Sequence, residues 1–214
     1  MPSVFKMVAP QDIETKSRIL DTAHDLFYKY GIRSVSMDDI AHSLSISKKT
    51  IYRWFNEKEE IVHACCTGDL EEHYRNCEEI NRNSRDAVHE IIGIMNFLSE
   101  MFSRMNPNLF YDLKKYHPHS YKAFRNFKEK KLLPMVEENL KRGVMEGLYR
   151  EDINIKILSR LRIEQVELGL NAEIFPPSKY NYPEVQIALI DHFLHGIVTI
   201  KGMKLIDKYK EKII

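Results

Sequence analysis

Apolar positions recur every three or four residues along almost the whole of this 214-residue chain, the spacing of helices that bury one face. Ile19, Ala23, Leu26, Phe27 and Tyr30 stripe a first helix over about 11–30, closed by Gly31. Two short helices follow within residues 36–55. Ser36 is placed to cap the first, with Asp38 and Asp39 in the turn where the helix dipole favours negative charge. Ser45-Ile46-Ser47 breaks the pattern, and Ser47 is placed to cap the second. Asn56 is expected to cap a long helix that runs towards Asn81.

The remaining pattern is helical too. Ser84 is expected to cap a helix over about 85–104, with Val88, Ile91, Ile92, Met95, Leu98 and Phe102 as its stripe, and Asn106-Pro107 ends it. A short helix covers about 108–116. A long one covers about 119–146, kinked by Pro134 and closed by Gly143 and Gly147. Asp152 is expected to cap a helix over about 153–172. Pro183 starts a last helix that reaches about Tyr209. The pattern therefore predicts an all-α protein of about nine helices, with residues 1–10 as a loose arm.

The second short helix carries the candidate chemistry. Ile51, Trp54 and Phe55 fall on one side, and Lys49 and Arg53 point the opposite way. Thr50 and Tyr52 flank that pair, Lys48 sits at the helix start, and no acid occurs between Ser45 and Asn56. Cations at this spacing suit guanine edges and phosphates, and the hydroxyls suit phosphate oxygens. Taken alone, such a face is more often simply a solvated one. The capped helix and short turn before it point instead to a helix-turn-helix reader of the major groove. Lys16 and Arg18 admit both a phosphate-contacting and a solvated role.

Residues 16–62 resemble the DNA-binding domain of the TetR family of bacterial transcriptional regulators. The resemblance rests on Ile19-Leu20, Ala23, Leu26-Phe27, Gly31, Ser36, Ile40-Ala41, Leu44, Ile46-Ser47, Ile51-Tyr52, Phe55 and Lys58-Glu59-Glu60-Ile61. Two positions depart from the pattern. Ser45 replaces the usual turn glycine and is expected to need a different backbone conformation, and Trp54 fills an aromatic position. The resemblance implies a helix-turn-helix domain over 1–56, braced by the start of the next helix to about 62. A helical regulatory and dimerisation domain over 57–214 would follow. The partners it implies are a palindromic double-stranded DNA operator, a second copy of the chain and a small-molecule effector. Lys49 and Arg53 would touch bases, with Lys48 and Thr50 close behind, Ser36, Tyr52 and Lys58 would mainly grip phosphate, and Ser47 belongs to the same DNA-binding set.

The resemblance further implies that the effector sits in a cavity enclosed by helices five to eight, lined by side chains such as Met95, Phe102, Phe110, Tyr111, Phe124 and Phe127 and suited to a fairly apolar molecule. The same stripe also reads as plain core. The last two long helices are apolar on more than one side, so each needs two partners. A two-fold interface through Leu161, Leu168, Leu189, Phe193, Gly196, Ile197 and Ile200 satisfies that need, Gly196 and Ala188 allowing close approach. The long helix after the DNA unit is the expected mechanical path between cavity and DNA.

Charge and composition narrow these readings. Net charge is +1, and residues 1–60 hold nine Lys/Arg against nine Asp/Glu. Binding to DNA must therefore come from local placement, which favours a sequence reader over a nonspecific coat. Mean hydropathy is −0.40. No apolar run approaches the roughly 18 residues of a membrane span, and Met1–Pro10 is not a secretory signal, so a cytoplasmic protein with no membrane partner is expected. Cys65, Cys66 and Cys77 lack metal-site spacing. His192 and His195 share a face with no matching catalytic partner and read as core or interface residues. No phosphate loop or nucleophile elbow appears, so no catalytic residue, cofactor or metal is expected. The rival function is a helical interaction module with a vestigial DNA-binding domain and no inducer.

Overall fold

A computed structural model describes residues 10–210, with side chains from residue 14 onward. The predicted arm lies outside the described residues except for Pro10. The fold is all-α: α1 (Pro10–Tyr30), α2 (Met37–Ser43), α3 (Lys48–Tyr52), α4 (Lys58–Asn83), α5 (Ala87–Arg104), α6 (Leu109–Tyr116), α7 (Pro118–Phe127), α8 (Leu133–Met145), α9 (Ile155–Gly169), α10 (Tyr182–Ile197) and α11 (Ile200–Lys210). That is two helices more than the periodicity predicts, because two long stretches are each broken once.

The first break lies at Pro134. Proline has no N–H to donate, and the five residues Lys128–Leu132 open into a π-helical turn between α7 and α8. The second separates α10 from α11. Val198 turns extended, Arg150 N donates to the Ile197 carbonyl, and Thr199 N donates to the Leu148 carbonyl, both at 2.9 Å. Thr199 Oγ1 then accepts from Gly202 N and restarts the helix.

Several caps differ from expectation. Asp86, not Ser84, caps α5 through His89 N at 2.8 Å. Asn154, not Asp152, caps α9 through Ile157 N at 3.1 Å. Asn56 does not cap α4; its own N–H donates to Glu60 at 2.8 Å, one residue before the helix's actual N-cap, Glu57. Gly143 does not close a helix. It lies inside α8, where a Cβ would come within 2.0 Å of the buried Tyr149 ring. Gly147, with φ +67°, ends that region as predicted.

Two main cores result. Ile19, Ala23, Phe27, Ile40, Ala41, Ile51, Phe55 and Ile61 bury together and bind α1–α3 to the start of α4. Leu113 of α6 joins the same core, so the first unit is packed against the second as well as tethered to it. The other core joins α5, α8, α10 and α11 around Tyr149, whose hydroxyl donates to the Ala87 carbonyl or Asn139 Oδ1, each at 3.0 Å. Among the described residues no helix is long and apolar enough to cross a membrane.

Candidate nucleic-acid interface and interior cavity

The turn between α2 and α3 is fixed by backbone chemistry. Ser36 Oγ accepts from Asp39 N, and the Asp39 carboxylate accepts from Ser36 N at 2.7 Å, a reciprocal cap. The Ser36 hydroxyl, 2.6 Å from the Asp39 carboxylate, and after it the bond from Ser36 N hold that carboxyl below its ordinary pKa. At the other end Ile46 N donates to the Ala41 carbonyl and Ser45 N to the His42 carbonyl, both at 3.0 Å. This is the Schellman closure, whose residue after the cap takes a left-handed backbone. That residue is Ser45, at φ +54°. The expectation of a different conformation there is thus corrected: serine occupies the conformation that glycine would take.

α3 is backed by Ile51 and Phe55, both buried, and leaves Lys49, Tyr52 and Arg53 exposed. Lys49 and Arg53 have no ion-pair partner among the described residues. Apart from the exposed Tyr52, the other predicted contacts are already engaged. Lys48 Nζ lies 2.7 Å from Asp38. Ser47 Oγ accepts from Thr50 N at 3.1 Å and meets Thr50 Oγ1 at 2.9 Å. Ser36 is held in its cap. Lys58 turns inward: its ammonium donates to the Ile32 carbonyl and lies 5.7 Å from the Phe27 ring centroid, and burial lowers its pKa. Lys16 lies over the Phe55 ring.

The joint between the units contains residues that sequence reasoning missed. Asn106 N donates to the Tyr28 carbonyl at 2.9 Å and Asn106 Nδ2 to the Lys29 carbonyl at 3.1 Å, satisfying the end of α1. Asp112, buried on α6, accepts from Arg33 N at 2.8 Å. The α5–α6 corner therefore grips the loop that leads into α2. Asn106 is visible in sequence only as half of a helix-breaking Asn-Pro pair.

An apolar cavity of about 160 Å³ lies directly above this joint. Phe102, Phe110, Phe124 and Phe127 line it, as predicted from their stripes. Met95 does not; it is buried in the core of α5, α8 and α10. Tyr111 does not either; it is exposed and borders a separate polar groove with Lys128 and Glu167. The wall also includes α1 and α4, through Phe27, Tyr28, Val62, Leu70 and all three cysteines. Burial pushes the thiols of Cys65 and Cys66 up to about 12 and that of Cys77 up to about 11. Too little thiolate exists near neutral pH for these to act as nucleophiles. His24 Nε2 lies 3.1 Å from Asp69 on the cavity wall, and that bond raises the His24 pKa. Burial lowers that of His73.

The predicted interface residues divide. Leu161 is 48% exposed, Leu168 38% and Ile200 80%. Leu189 is half-buried and Gly196 exposed. Phe193 and Ile197 are buried in the chain's own core, so they are corrected to core residues. Ile157 on α9 is exposed and extends the stripe of Leu161 and Leu168. His192 and His195 are exposed, which excludes the core reading for both.

The comparisons with known proteins agree with this geometry. Residues 19–65 match the family model described as bacterial regulatory proteins, tetR family. The chain is 38% identical over 53 residues to YdeS of Bacillus subtilis, an HTH-type transcriptional regulator. That match spans 25% of this chain and only 27% of YdeS. It is 24% identical over 160 residues to the transcriptional regulator UidR of Escherichia coli K12, covering 75% of this chain and 81% of the relative. A TetR-family regulator from Agrobacterium tumefaciens has the same fold, with a TM-score of 0.71 at 16% identity, over 89% of this chain and 100% of that one. A capped helix-turn-helix at the head of an all-α body, with matching sequence at the head and matching fold throughout, has one consistent reading: residues 19–65 form a TetR-family DNA-binding domain, carried on a body with the fold of a TetR-family transcriptional regulator.

Proposed function

We propose that two copies of this chain read a palindromic operator, one α3 per half-site, and that a small, fairly apolar molecule with its apolar body in the cavity releases them. The division at about residue 56 separates reader from regulator in this account. The observation that carries it is the pose of α3: Ile51 and Phe55 fix its back in the core while Lys49 and Arg53 stand outward on a doubly capped turn. Lys49, Tyr52 and Arg53 are the groups ready to meet DNA. Lys48 first leaves Asp38, and Lys58 acts by bracing Ile32 and Phe27.

The release step follows from the joint. A molecule filling the cavity presses on α5 and α6, whose Asn106 and Asp112 hold the end of α1 and the loop into α2. An effector that favours a displaced α6 therefore favours misplaced α3 helices, and binding of effector and operator oppose each other by linkage. Repression relieved by the effector is the mode proposed. The two-fold contact is assigned to α9 and α10 through the exposed Leu161, Leu168 and Gly196.

The test compares Arg53→Ala and Lys49→Ala on a selected operator and on random duplex across salt concentrations. Loss of about 1–3 kcal/mol confined to the operator supports base reading; equal loss on both duplexes contradicts it.

A further inference from the structure

The cavity's wall carries one carboxylate and one imidazole bonded to it, Asp69 and His24, and this selects among effectors. Asp69 is the one Asp, Glu, Lys or Arg among the residues lining the cavity, which are otherwise overwhelmingly apolar. A surface groove between α1, α4 and α5 shares His24, Tyr28, Asp69, His73, Phe97 and Met101 with the cavity and forms its mouth. That groove adds the carboxylates of Asp25, Glu72 and Glu100, against Lys29 and Arg104. Arg104 is bound to Glu100 at 2.6 Å and Lys29 lies over the Tyr30 ring. Two aromatic rings, Tyr28 and Phe97, border the same opening; His24 stacks on one face of Tyr28 at 4.3 Å and His73 meets Phe97 edge-on at 5.8 Å, so the remaining faces are what a ligand would meet.

We propose that the cavity takes a compact amphipathic cation, its apolar body inside and its single charged nitrogen held at the mouth between Asp69 and the rings of Tyr28 and Phe97. The proposal rests on the reading of this cavity as the effector site. An anionic head would face Asp69, Asp25 and Glu72, the imidazole in reach, His24, is already bonded to Asp69 at 3.1 Å, and desolvating the anion there is costly. A cation gains the Asp69 carboxylate, which it shares with His24, and the ring faces of Tyr28 and Phe97 that the histidines leave uncovered. Size sets the body: about 160 Å³ is close to the roughly 150 Å³ of a cavity that holds benzene, so one ring or a short branched chain fits.

Benzyltrimethylammonium, its neutral carbon isostere neopentylbenzene, and phenylacetate test this by calorimetric titration of the full chain. The expected order places the cation first by at least about tenfold over the neutral isostere and phenylacetate last, with the cation's advantage falling as salt rises. Asp69→Asn should remove most of that advantage and leave neopentylbenzene binding intact. Neutral or anionic probes binding as well as the cation would overturn the charge selectivity while leaving the cavity an effector site. No binding by any probe would overturn both. Should Asp69→Asn fail to fold, the wild-type order and its salt dependence decide the matter alone.

Discussion

Gly196→Ala separates the protomer's own energetics from those of the two-fold contact. Within one protomer a Cβ at Gly196 meets no heavy atom within 4 Å, and the backbone there is ordinary helix. Arg150 donates to the Gly196 carbonyl at 2.8 Å, a bond to backbone that the substitution leaves in place. Glycine in a helix costs about 0.5–1 kcal/mol relative to alanine. The isolated protomer should therefore gain up to about that amount. In the proposed dimer, Gly196 lies where two copies of α10 approach. An added methyl in a packed contact costs about 1–3 kcal/mol, and symmetry applies it twice, so dissociation becomes easier by at least about 2 kcal/mol, roughly 30-fold in Kd. Sedimentation equilibrium reads the Kd, and urea unfolding at dilutions below it reads the protomer. A dimer as tight as wild type, with only the protomer stabilised, would refute the placement of Gly196 in the interface.

Three other substitutions address the turn, the joint and the cavity wall. Ser45→Gly should stabilise the fold by about 0.5–1 kcal/mol in urea unfolding, because glycine takes a φ of +54° without the steric cost that serine bears, offset in part by the entropy glycine loses on folding. Asp112→Ala strands the Arg33 N–H beneath α6 and should cost about 1–3 kcal/mol; faster amide exchange at Arg33 should accompany it, and unchanged exchange would contradict the joint. Asp69→Asn should lower the His24 pKa, read by NMR titration. The raised folded pKa of His24 means that its stabilisation is fully present below the unfolded value of 6.5 and is lost as pH rises through the folded value. The variant should therefore be destabilised more in acid than at alkaline pH, and the reverse order would contradict the pairing.

Local physics made the head of the chain legible. Ser36, Asp39 and Ser47 act through neighbours three residues away, and the stripe of Ile51 and Phe55 settles which side of α3 faces out. The conformation of Ser45 was misjudged because the Schellman bonds from Ile46 and Ser45 hold the left-handed turn even without glycine. Breaks that depend on distant pairing were not legible. Val198 and Thr199 continue an apolar helical stripe, and they leave it because Leu148 and Arg150 offer backbone partners that only the tertiary fold brings near. Phe193 and Ile197 illustrate a second limit: a helix apolar on two sides shows that it needs two partners, not which residue faces which. Asp38 opposite Lys48 and Asp112 beneath Arg33 escaped notice because an ion pair across a turn and a buried acceptor for a distant amide have no periodicity.

The most direct test is a hydroxyl-radical footprint on an operator selected from genomic DNA, combined with the mass of the complex. Two protomers, or an even multiple, should protect a palindrome whose half-site centres lie about one helical turn apart or slightly more, and Lys49→Ala with Arg53→Ala should abolish the pattern. A single protected half-site bound by a monomer, or an unchanged footprint in the doubly substituted chain, would contradict the account.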